Sequence, residues 1–204
     1  MFYSIIRAIA IILFKVLFRL QAFGVGNIPL KGGFILASNH ESYLDPPILG
    51  AACPRVLSYL GKEGLFKNAL SGRFLSALNV IPIKTHSGDI AALRRAIESL
   101  EEERPLAIFP EGGRFNDGRL HQPLEGIGLI AAKVSTPIVP AFIAGSGKAM
   151  SMRSNFIYPK KIRIYFGEPI WPGEISNELH GRSLYQVIAT KTMEEIGRLK
   201  NELQ

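Results

Sequence analysis

The sequence predicts a layered α/β domain with a mixed, largely parallel sheet flanked by helices, because apolar runs alternate with helical stretches along the chain. Six runs bounded by turn residues are typical of strands: 33–38, 55–60, 80–84, 105–109, 137–143 and 161–166. The 204 residues are 47% apolar, which suits one domain with a sizeable core and differs from a disordered or fibrous composition. We therefore expect one domain over residues 23–204, preceded by a helical appendage over residues 1–22.

Helices are predicted between these runs, at 46–53, 64–78, 87–104, 125–134 and 181–202. The clearest is SGDIAALRRAIESLEEER, in which Ser87 or Asp89 caps the N-terminus and apolar residues recur at helical spacing. The segment 64–78 is either a core helix or a second element that faces lipid. The last strand, in KKIRIYFGEPI, alternates between polar and apolar residues, which indicates an edge or half-exposed strand.

The N-terminal stretch MFYSIIRAIAIILFKVLFRL is apolar but carries Arg7, Lys15 and Arg19. These charges interrupt it well short of the roughly 20 apolar residues that span a bilayer. At 100° per residue, Ser4 and the basic residues fall within about 120° of one another. This pattern predicts an amphipathic helix in a membrane interface, where basic residues favour the anionic cytoplasmic leaflet. The alternative is a helix packed on the core of its own domain.

Lys and Arg outnumber Asp and Glu by 24 to 17, giving a net charge of +7. Such an excess either favours an anionic partner, such as a membrane or a phosphorylated substrate, or only aids solubility. No basic–aromatic platform or reader motif is present, so we expect no nucleic-acid partner. The single cysteine, Cys53, excludes an internal disulfide, and no Cys/His cluster of the zinc type is present.

Two polar clusters follow predicted strands, where α/β sheets usually bind ligands. The first is SNHESYLDP, residues 38–46, in which His40 is a candidate general base and Asp45 its orienting carboxylate. On a regular helix the two side chains would lie about 140° apart, so they meet only if the segment turns. The alternative is that Asp45 caps a helix beginning at Pro46, with His40 an incidental loop residue.

The second cluster is PEGGRFNDGR, residues 110–119. Gly112 and Gly113 allow the backbone to approach a ligand closely, and Arg114 is suited to bind a phosphate with two hydrogen bonds. Taken alone, the same residues also fit a glycine turn with a surface salt bridge.

Together the two clusters resemble the glycerolipid acyltransferases, the group that includes lysophosphatidic acid acyltransferase, with signatures N-H-x-x-x-x-D and F-P-E-G-T-R-S. GKEGLF (61–66), NVIPIKT (79–85) and PIVPAFIAG (137–145) are similar to further blocks of that family in the family's order. The resemblance covers roughly residues 33–145. It implies a glycerol-3-phosphate acyltransferase-like fold and transfer of an acyl group from acyl-CoA or acyl carrier protein to a lysophospholipid hydroxyl, above all 1-acylglycerol-3-phosphate.

The resemblance also implies roles for residues. His40 would take the proton from the acceptor hydroxyl, and Asp45 would orient His40. Backbone N–H groups near Gly112 or Gly113 are candidates to stabilise the oxyanion, and Arg114 would bind the acceptor's phosphate. No cofactor or metal is expected, and the enzyme is expected on the cytoplasmic face of a membrane. The residues expected to hold the acceptor are Lys84, Glu111, Gly112, Gly113 and Arg114.

The sequence departs from the family's blocks at several positions. Gly113 and Phe115 stand in place of the Thr and Ser of F-P-E-G-T-R-S, and PLEG (123–126) stands where F-K-x-G is common. Thr85 stands where an arginine is expected, and Lys84 can replace that arginine only if the strand ends before it. Two alternatives therefore stay open: another acceptor, such as a lyso-aminolipid or a lipid hydroxyl without phosphate, and a non-catalytic peripheral lipid-binding domain.

Overall fold

The computed structural model describes residues 2–84, 89–115, 117–151, 156–175 and 178–202. Strands and helices alternate along this part of the chain, together with two short 3-10 helices, Val25–Asn27 and Glu63–Phe66. The strands are β1 (Gln21–Phe23), β2 (Ile35–Ser38), β3 (Ser58–Lys62), β4 (Val80–Ile83), β5 (Leu106–Ile108), β6 (Ile138–Ala144) and β7 (Arg163–Phe166). The α-helices are α1 (Phe2–Phe18), α2 (Asp45–Ala52), α3 (Ala69–Ala77), α4 (Ile90–Glu101), α5 (Gly126–Val134), α6 (Ser146–Ala149), α7 (Pro172–Ile175) and α8 (Gly181–Asn201).

The strands form one sheet in the order β1-β7-β6-β2-β5-β3-β4. Every neighbouring pair is parallel except β6 and β7, so the predicted mixed, largely parallel sheet is confirmed. The prediction missed β1, whose three residues are all exposed and give no apolar run. Because β1 pairs with β7, the expectation that β7 lies at the edge is wrong, whereas its alternating burial confirms a half-exposed strand.

The sheet carries a hydrophobic core on each face. Along β2, Phe34 and Leu36 pack into the core under α1 and α2, while Ile35 and Ala37 pack into the core under α4, α5 and α8. This alternation follows from the two-residue period of a strand. The middle of the sheet is thus buried on both sides, which is why its strands read as continuous apolar runs.

Helix α1 has two different apolar faces. Phe14 and Phe18 are 3% and 1% exposed and belong to the core next to α2. Arg7 donates hydrogen bonds to the carbonyl oxygens of Gly50 and Cys53, at 3.0 and 2.6 Å, where the carboxyl end of α2 favours a cation. Arg7, which the sequence placed in the basic stripe, therefore binds the helix's own domain, as the alternative of a helix packed on the core implies.

The opposite face of α1 is apolar and exposed to solvent. Its side chains are between 51% and 77% exposed: Ile5, Ile9, Ile12, Leu13 and Val16. The helix therefore packs on the core of its own domain through one face and leaves the opposite apolar face exposed, while the membrane interface stays a prediction. No helix in the described ranges is long and apolar enough to cross a bilayer.

The predicted helix 64–78 is divided in the structure. Its first residues lie in the 3-10 helix Glu63–Phe66, and α3 begins after Asn68, whose side chain accepts a hydrogen bond from the Leu70 N–H at 2.8 Å. No residue of α3 is buried, and Leu70 is 79% exposed, so the core-helix interpretation is wrong. For α4 the cap is Asp89, which accepts from the Ala92 N–H at 3.0 Å; the alternative cap at Ser87 lies outside the described residues.

Candidate active site

The two polar clusters meet at the carboxyl edge of the sheet. His40 lies two residues after the end of β2, and the segment 109–114 directly follows β5. Because β2 and β5 are neighbouring parallel strands, their carboxyl ends adjoin. The Phe115 N–H donates to the His40 carbonyl oxygen at 2.9 Å, which joins the two loops directly.

His40 and Asp45 form a hydrogen-bonded pair, with 2.9 Å between Nδ1 and Oδ2. Asp45 is fully buried, and the same Oδ2 accepts from the backbone N–H groups of Glu41 and Ser42 at 2.8 and 2.7 Å. These three bonds to one oxygen fold residues 40–45 into the turn that the pair requires. A carboxylate can only accept, so Nδ1 carries the proton and Nε2 carries a lone pair. The His40 side chain keeps 16% of its surface exposed, as a base that meets a substrate must.

Asp45 does not cap α2 as the alternative required. The helix begins at Asp45 itself, and the residue at the cap position is Leu44, whose side chain forms no capping hydrogen bond. The carboxylate instead turns back onto the residues before the helix. Its charge also lies in the first turn of α2, where the helix dipole favours an anion.

Two further side chains fix His40, and neither was singled out from the sequence. Asn39 is 1% exposed and bonds to both backbone groups of Ile143 on β6, donating at 3.1 Å and accepting at 2.8 Å. The His40 ring stacks on Phe109, with 3.9 Å between ring centroids and 14° between planes. Asn39 directly precedes His40 in the first motif, and Phe109 directly precedes PEGGR in the second. Their positions in these motifs were the signal from which the sequence could have identified them.

Glu111 connects the two loops rather than facing open space. It is 7% exposed, and its two carboxylate oxygens accept from the backbone N–H groups of His40 at 3.2 Å and His121 at 2.9 Å. Burial raises the pKa of the Glu111 carboxyl above its ordinary value, although both N–H groups favour the ionised form. In this arrangement Glu111 acts through the positions of His40 and His121. His121 belongs to no motif, so the sequence offered no signal for it.

Arg114 lies over the ring of Tyr43, with 3.4 Å between its guanidinium carbon and the ring centroid. This cation–π contact holds Arg114 beside the turn that carries His40. Within the described ranges Arg114 takes part in no salt bridge, so no carboxylate occupies its hydrogen-bond donors.

The two glycines differ in what their backbone N–H groups do. Gly112 has a φ of +68°, and its N–H donates to the Phe109 carbonyl oxygen at 3.0 Å. The expected oxyanion donor at Gly112 is therefore wrong, because that N–H is already used in the turn. Gly113, whose N–H makes no such bond in the described part of the chain, is the remaining candidate of the two.

Lys84 follows β4 directly, since that strand ends at Ile83. The condition under which it could replace the expected arginine is thus met. Its side chain is exposed. Strand β4, which Lys84 follows, is the fourth in the row β2-β5-β3-β4 and lies roughly 14 Å from β2 at the usual strand spacing. Thr85, the position of the expected arginine, lies outside the described residues.

Comparison with known proteins identifies the family. Residues 19–144 match the model of the family described as Acyltransferase, a range that includes every candidate side chain above from His40 to Arg114. The chain belongs to this acyltransferase family. The family resemblance read from the sequence is therefore confirmed.

Named relatives of this acyltransferase chain are 1-acyl-sn-glycerol-3-phosphate acyltransferases. It is 31% identical over 152 residues to BAT2, chloroplastic, from Brassica napus, covering 72% of this chain and 44% of that one. It is 28% identical over 159 residues to the enzyme of Helicobacter pylori, covering 72% and 67%. The crystal structure of the 1-acyl-sn-glycerophosphate (LPA) acyltransferase PlsC from Thermotoga maritima matches with a TM-score of 0.77 and 26% identity, over 96% of this chain and 79% of that one. The chain thus spans less than half the length of the plant relative, and the fold is that of PlsC.

The candidate site of this acyltransferase chain also contains the carboxyl group of Glu41, directly after His40. Burial, and then the charge of Asp45, raise the pKa of Glu41 above its ordinary value. A Cβ atom on Gly147 would come within 2.8 Å of Glu41 Oε2, so the glycine leaves the room that this carboxyl occupies.

Proposed function

We propose that the chain is an O-acyltransferase that works at a membrane surface and moves a fatty acyl group from a thioester to the hydroxyl of a lysophospholipid. The observation that carries this proposal is the His40–Asp45 pair, held by a fully buried carboxylate in a chain of the acyltransferase family. The names of the relatives favour 1-acylglycerol-3-phosphate as the acceptor, which would give phosphatidic acid.

The proposed reaction is direct transfer without an acyl-enzyme. His40 Nε2 takes the proton of the acceptor hydroxyl while that oxygen attacks the thioester carbonyl, and Asp45 stabilises the imidazolium that forms. The new C–O bond forms at the carbonyl carbon, the C–S bond breaks, and the imidazolium returns its proton to the departing thiolate. The Gly113 N–H is the backbone donor that we assign to the oxyanion.

The cations of the site support an acceptor or donor that carries phosphate. We assign Arg114 to the acceptor's phosphate, because its guanidinium lies beside the catalytic turn and forms no ion pair in the described part of the chain. Acyl-CoA and acyl carrier protein are both acidic, so the net charge of +7 suits either donor.

The exposed face of α1 supports the membrane surface as a partner. Its outer side chains form an apolar stripe next to the exposed Lys15 and Arg19, as expected for a helix lying in an anionic interface on the cytoplasmic side. A second exposed group, 156–158, is followed by Lys160 and Lys161. The Ile162 N–H donates to the Phe18 carbonyl oxygen at 3.0 Å, so this segment adjoins the end of α1.

A second acceptor class is favoured by another relative and by the departures from the family's blocks. The chain is 36% identical over 80 residues to the lyso-ornithine lipid O-acyltransferase of Pseudomonas aeruginosa, which covers 39% of this chain and 30% of that one. A lyso-aminolipid offers a hydroxyl without a phosphate. The same base and the same donor would then serve, while Arg114 would have no phosphate to bind.

A panel of substrates tests these proposals. The full chain is incubated with radiolabelled acyl-CoA or acyl carrier protein thioester and with lysophosphatidate, lyso-ornithine lipid or monoacylglycerol in anionic vesicles. Transfer to lysophosphatidate, lost in His40→Ala, is the expected result. Transfer only to lyso-ornithine lipid selects the second acceptor class. Vesicle binding without transfer to any acceptor would make the chain a lipid-binding domain and overturn the enzymatic proposal.

A further inference from the structure

A cavity of about 240 Å³ lies away from the catalytic pair, beyond the carboxyl ends of β3 and β4. It could hold a group several water molecules in size, since a water occupies about 30 Å³ in the liquid. Two cationic side chains, Lys84 and Arg95, line it together with the N-terminal turn of α4. The described residues around it are Glu63, Pro82, Ile83, Lys84, Asp89, Ala91 and Arg95.

Arg95 reaches this cavity from α4 and is held there by two carbonyl oxygens. Its Nε donates to Ala91 at 3.3 Å, and its Nη2 donates to Pro82 on β4 at 3.2 Å. A guanidinium has five N–H donors, so three remain after these two bonds, including both on Nη1. No carboxylate forms a salt bridge with Arg95 among the described residues. A positioned guanidinium with free donors is the group that binds a phosphate with two hydrogen bonds.

The backbone around Lys84 is fixed by the cap of α4. Asp89 accepts from the Lys84 N–H at 2.9 Å through one oxygen and from the Ala92 N–H at 3.0 Å through the other. Backbone N–H groups therefore bind both oxygens of this carboxylate. The other carboxylate that lines the cavity, Glu63, forms no salt bridge with Lys84 or Arg95 among the described residues. The exposed Lys84 ammonium and the N-terminal dipole of α4 then add to the charge of Arg95.

We propose that Arg95 and Lys84 bind a phosphate ester of a substrate in this cavity. The inference rests on the proposed acyl transfer. It assigns to Arg95, which belongs to none of the motifs above, the phosphate binding expected of an arginine at the position of Thr85. The ester comes either from the acceptor lipid or from the phosphopantetheine of the thioester donor. Both have the same phosphate chemistry, and kinetics separate them.

The experiment compares Arg95→Ala and Lys84→Ala with Arg94→Ala as the matched control. Arg94 is the neighbouring exposed arginine on α4 and does not line the cavity. KM and kcat are measured for lysophosphatidate against monoacylglycerol, and for acyl-CoA against the phosphate-free acyl-pantetheine. Loss of one charge-assisted contact is expected to raise KM about 10-fold for the phosphorylated member of one pair, with kcat within about threefold.

Each kinetic outcome decides one point. A raised KM for lysophosphatidate alone assigns the site to the acceptor, and a raised KM for acyl-CoA alone assigns it to the donor. Equal effects on phosphorylated and phosphate-free substrates, or an effect as small as that of Arg94→Ala, would overturn the proposal. Arg95→Lys keeps the positive charge but not the paired N–H donors of the guanidinium, so it is expected to raise KM for the phosphorylated substrate less than Arg95→Ala does. Circular dichroism checks that each variant is folded.

A binding measurement separates this proposal from the proposed acyl transfer. The measurement uses a full chain carrying Arg114→Ala, which removes the phosphate site proposed at the catalytic turn. In that chain, broadening of the ³¹P resonance of glycerol 3-phosphate is expected to be retained when Arg94→Ala is added and lost when Arg95→Ala is added. Retained broadening in both variants would refute the cavity as a phosphate site. This readout needs no turnover, so a chain that transfers no acyl group still tests it.

Discussion

Replacing Asp45 by asparagine separates the charge of the carboxylate that we propose to be catalytic from its shape. Oδ2 of Asp45 accepts from His40 Nδ1, from Glu41 N and from Ser42 N, within 2.9 Å in each case. An amide oxygen in the same place can accept all three bonds, so the turn is expected to persist. The amide nitrogen then takes the place of Oδ1, which is buried and has no hydrogen-bond partner in the described part of the chain.

The expected loss of rate follows from the charge that is removed. With the imidazolium and carboxylate charge centres about 4 Å apart and an effective dielectric constant near 20, their attraction is about 4 kcal/mol. Only the part that develops in the transition state counts, so the rate is expected to fall by about 10²–10³. The unpaired amide costs about 1–3 kcal/mol of folding free energy, which leaves a domain of ordinary stability almost fully folded.

The assay measures kcat with the preferred acceptor together with the free energy of unfolding in urea. Asp117→Asn is the matched control, because it removes the carboxylate of another His–Asp contact, 3.0 Å from His121 Nε2. The control is expected to keep kcat within about threefold, since its pair is exposed. A large loss of stability in Asp45→Asn with little loss of rate would show that Asp45 only holds the turn, and the assigned mechanism would be wrong.

Three further changes test the remaining assignments. His40→Ala is expected to lower kcat by at least about 100-fold with an unchanged circular dichroism spectrum; full activity would exclude the base. Changing both Ile9 and Val16 to Asp is expected to release the chain from anionic vesicles in a flotation assay. Leu30→Asp, equally exposed but outside α1, should stay bound, and equal release of both variants would contradict the interfacial helix. In Glu41→Gln the stability gain over the wild type should grow as the pH rises above about 4.3. Burial raises the pKa of Glu41, so the folded chain holds this proton more tightly and loses stability as the proton leaves. Urea unfolding at pH 4 and pH 8 measures the difference, and equal gains at the two values would rule out the effect.

The fold was predictable where burial leaves a pattern in the sequence. Strand β2 is buried on both faces and appears as the run FILA, so its place was found within two residues. Strand β1 is exposed at every residue and, among the described strands, pairs with β7 alone, so no apolar period marks it. The stretch 64–78 has enough apolar residues for a helix, but the Asn68 cap starts α3 late and leaves Leu70 outside the core.

The candidate site was predictable as a set of residues but not as a geometry. The motifs identified His40, Asp45 and Arg114 as candidates. The turn that brings His40 and Asp45 together depends on three hydrogen bonds to Asp45 Oδ2, which motif spacing does not encode. The sequence suggested substrate contact for Glu111, whereas its oxygens bind the backbone of two loops. A helical wheel placed Arg7 in a basic stripe with Lys15 and Arg19, but it contains no information that α2 presents carbonyl groups to the Arg7 side chain.

The contact of α1 with α2 links the proposed membrane surface to the catalytic turn. Arg7 is bonded to the carboxyl end of α2, and the amino end of α2 is Asp45. A helix of 8 residues is about 12 Å long, so one short rigid element separates the two contacts. With the outer face of α1 in the proposed lipid interface, α2 is the element that connects this surface to the turn that carries His40. In this proposal, an acceptor whose acyl chain stays in the bilayer would present its hydroxyl to His40. The two proposed phosphate sites, at Arg114 and in the cavity, both follow the carboxyl ends of strands, β5 and β4 respectively.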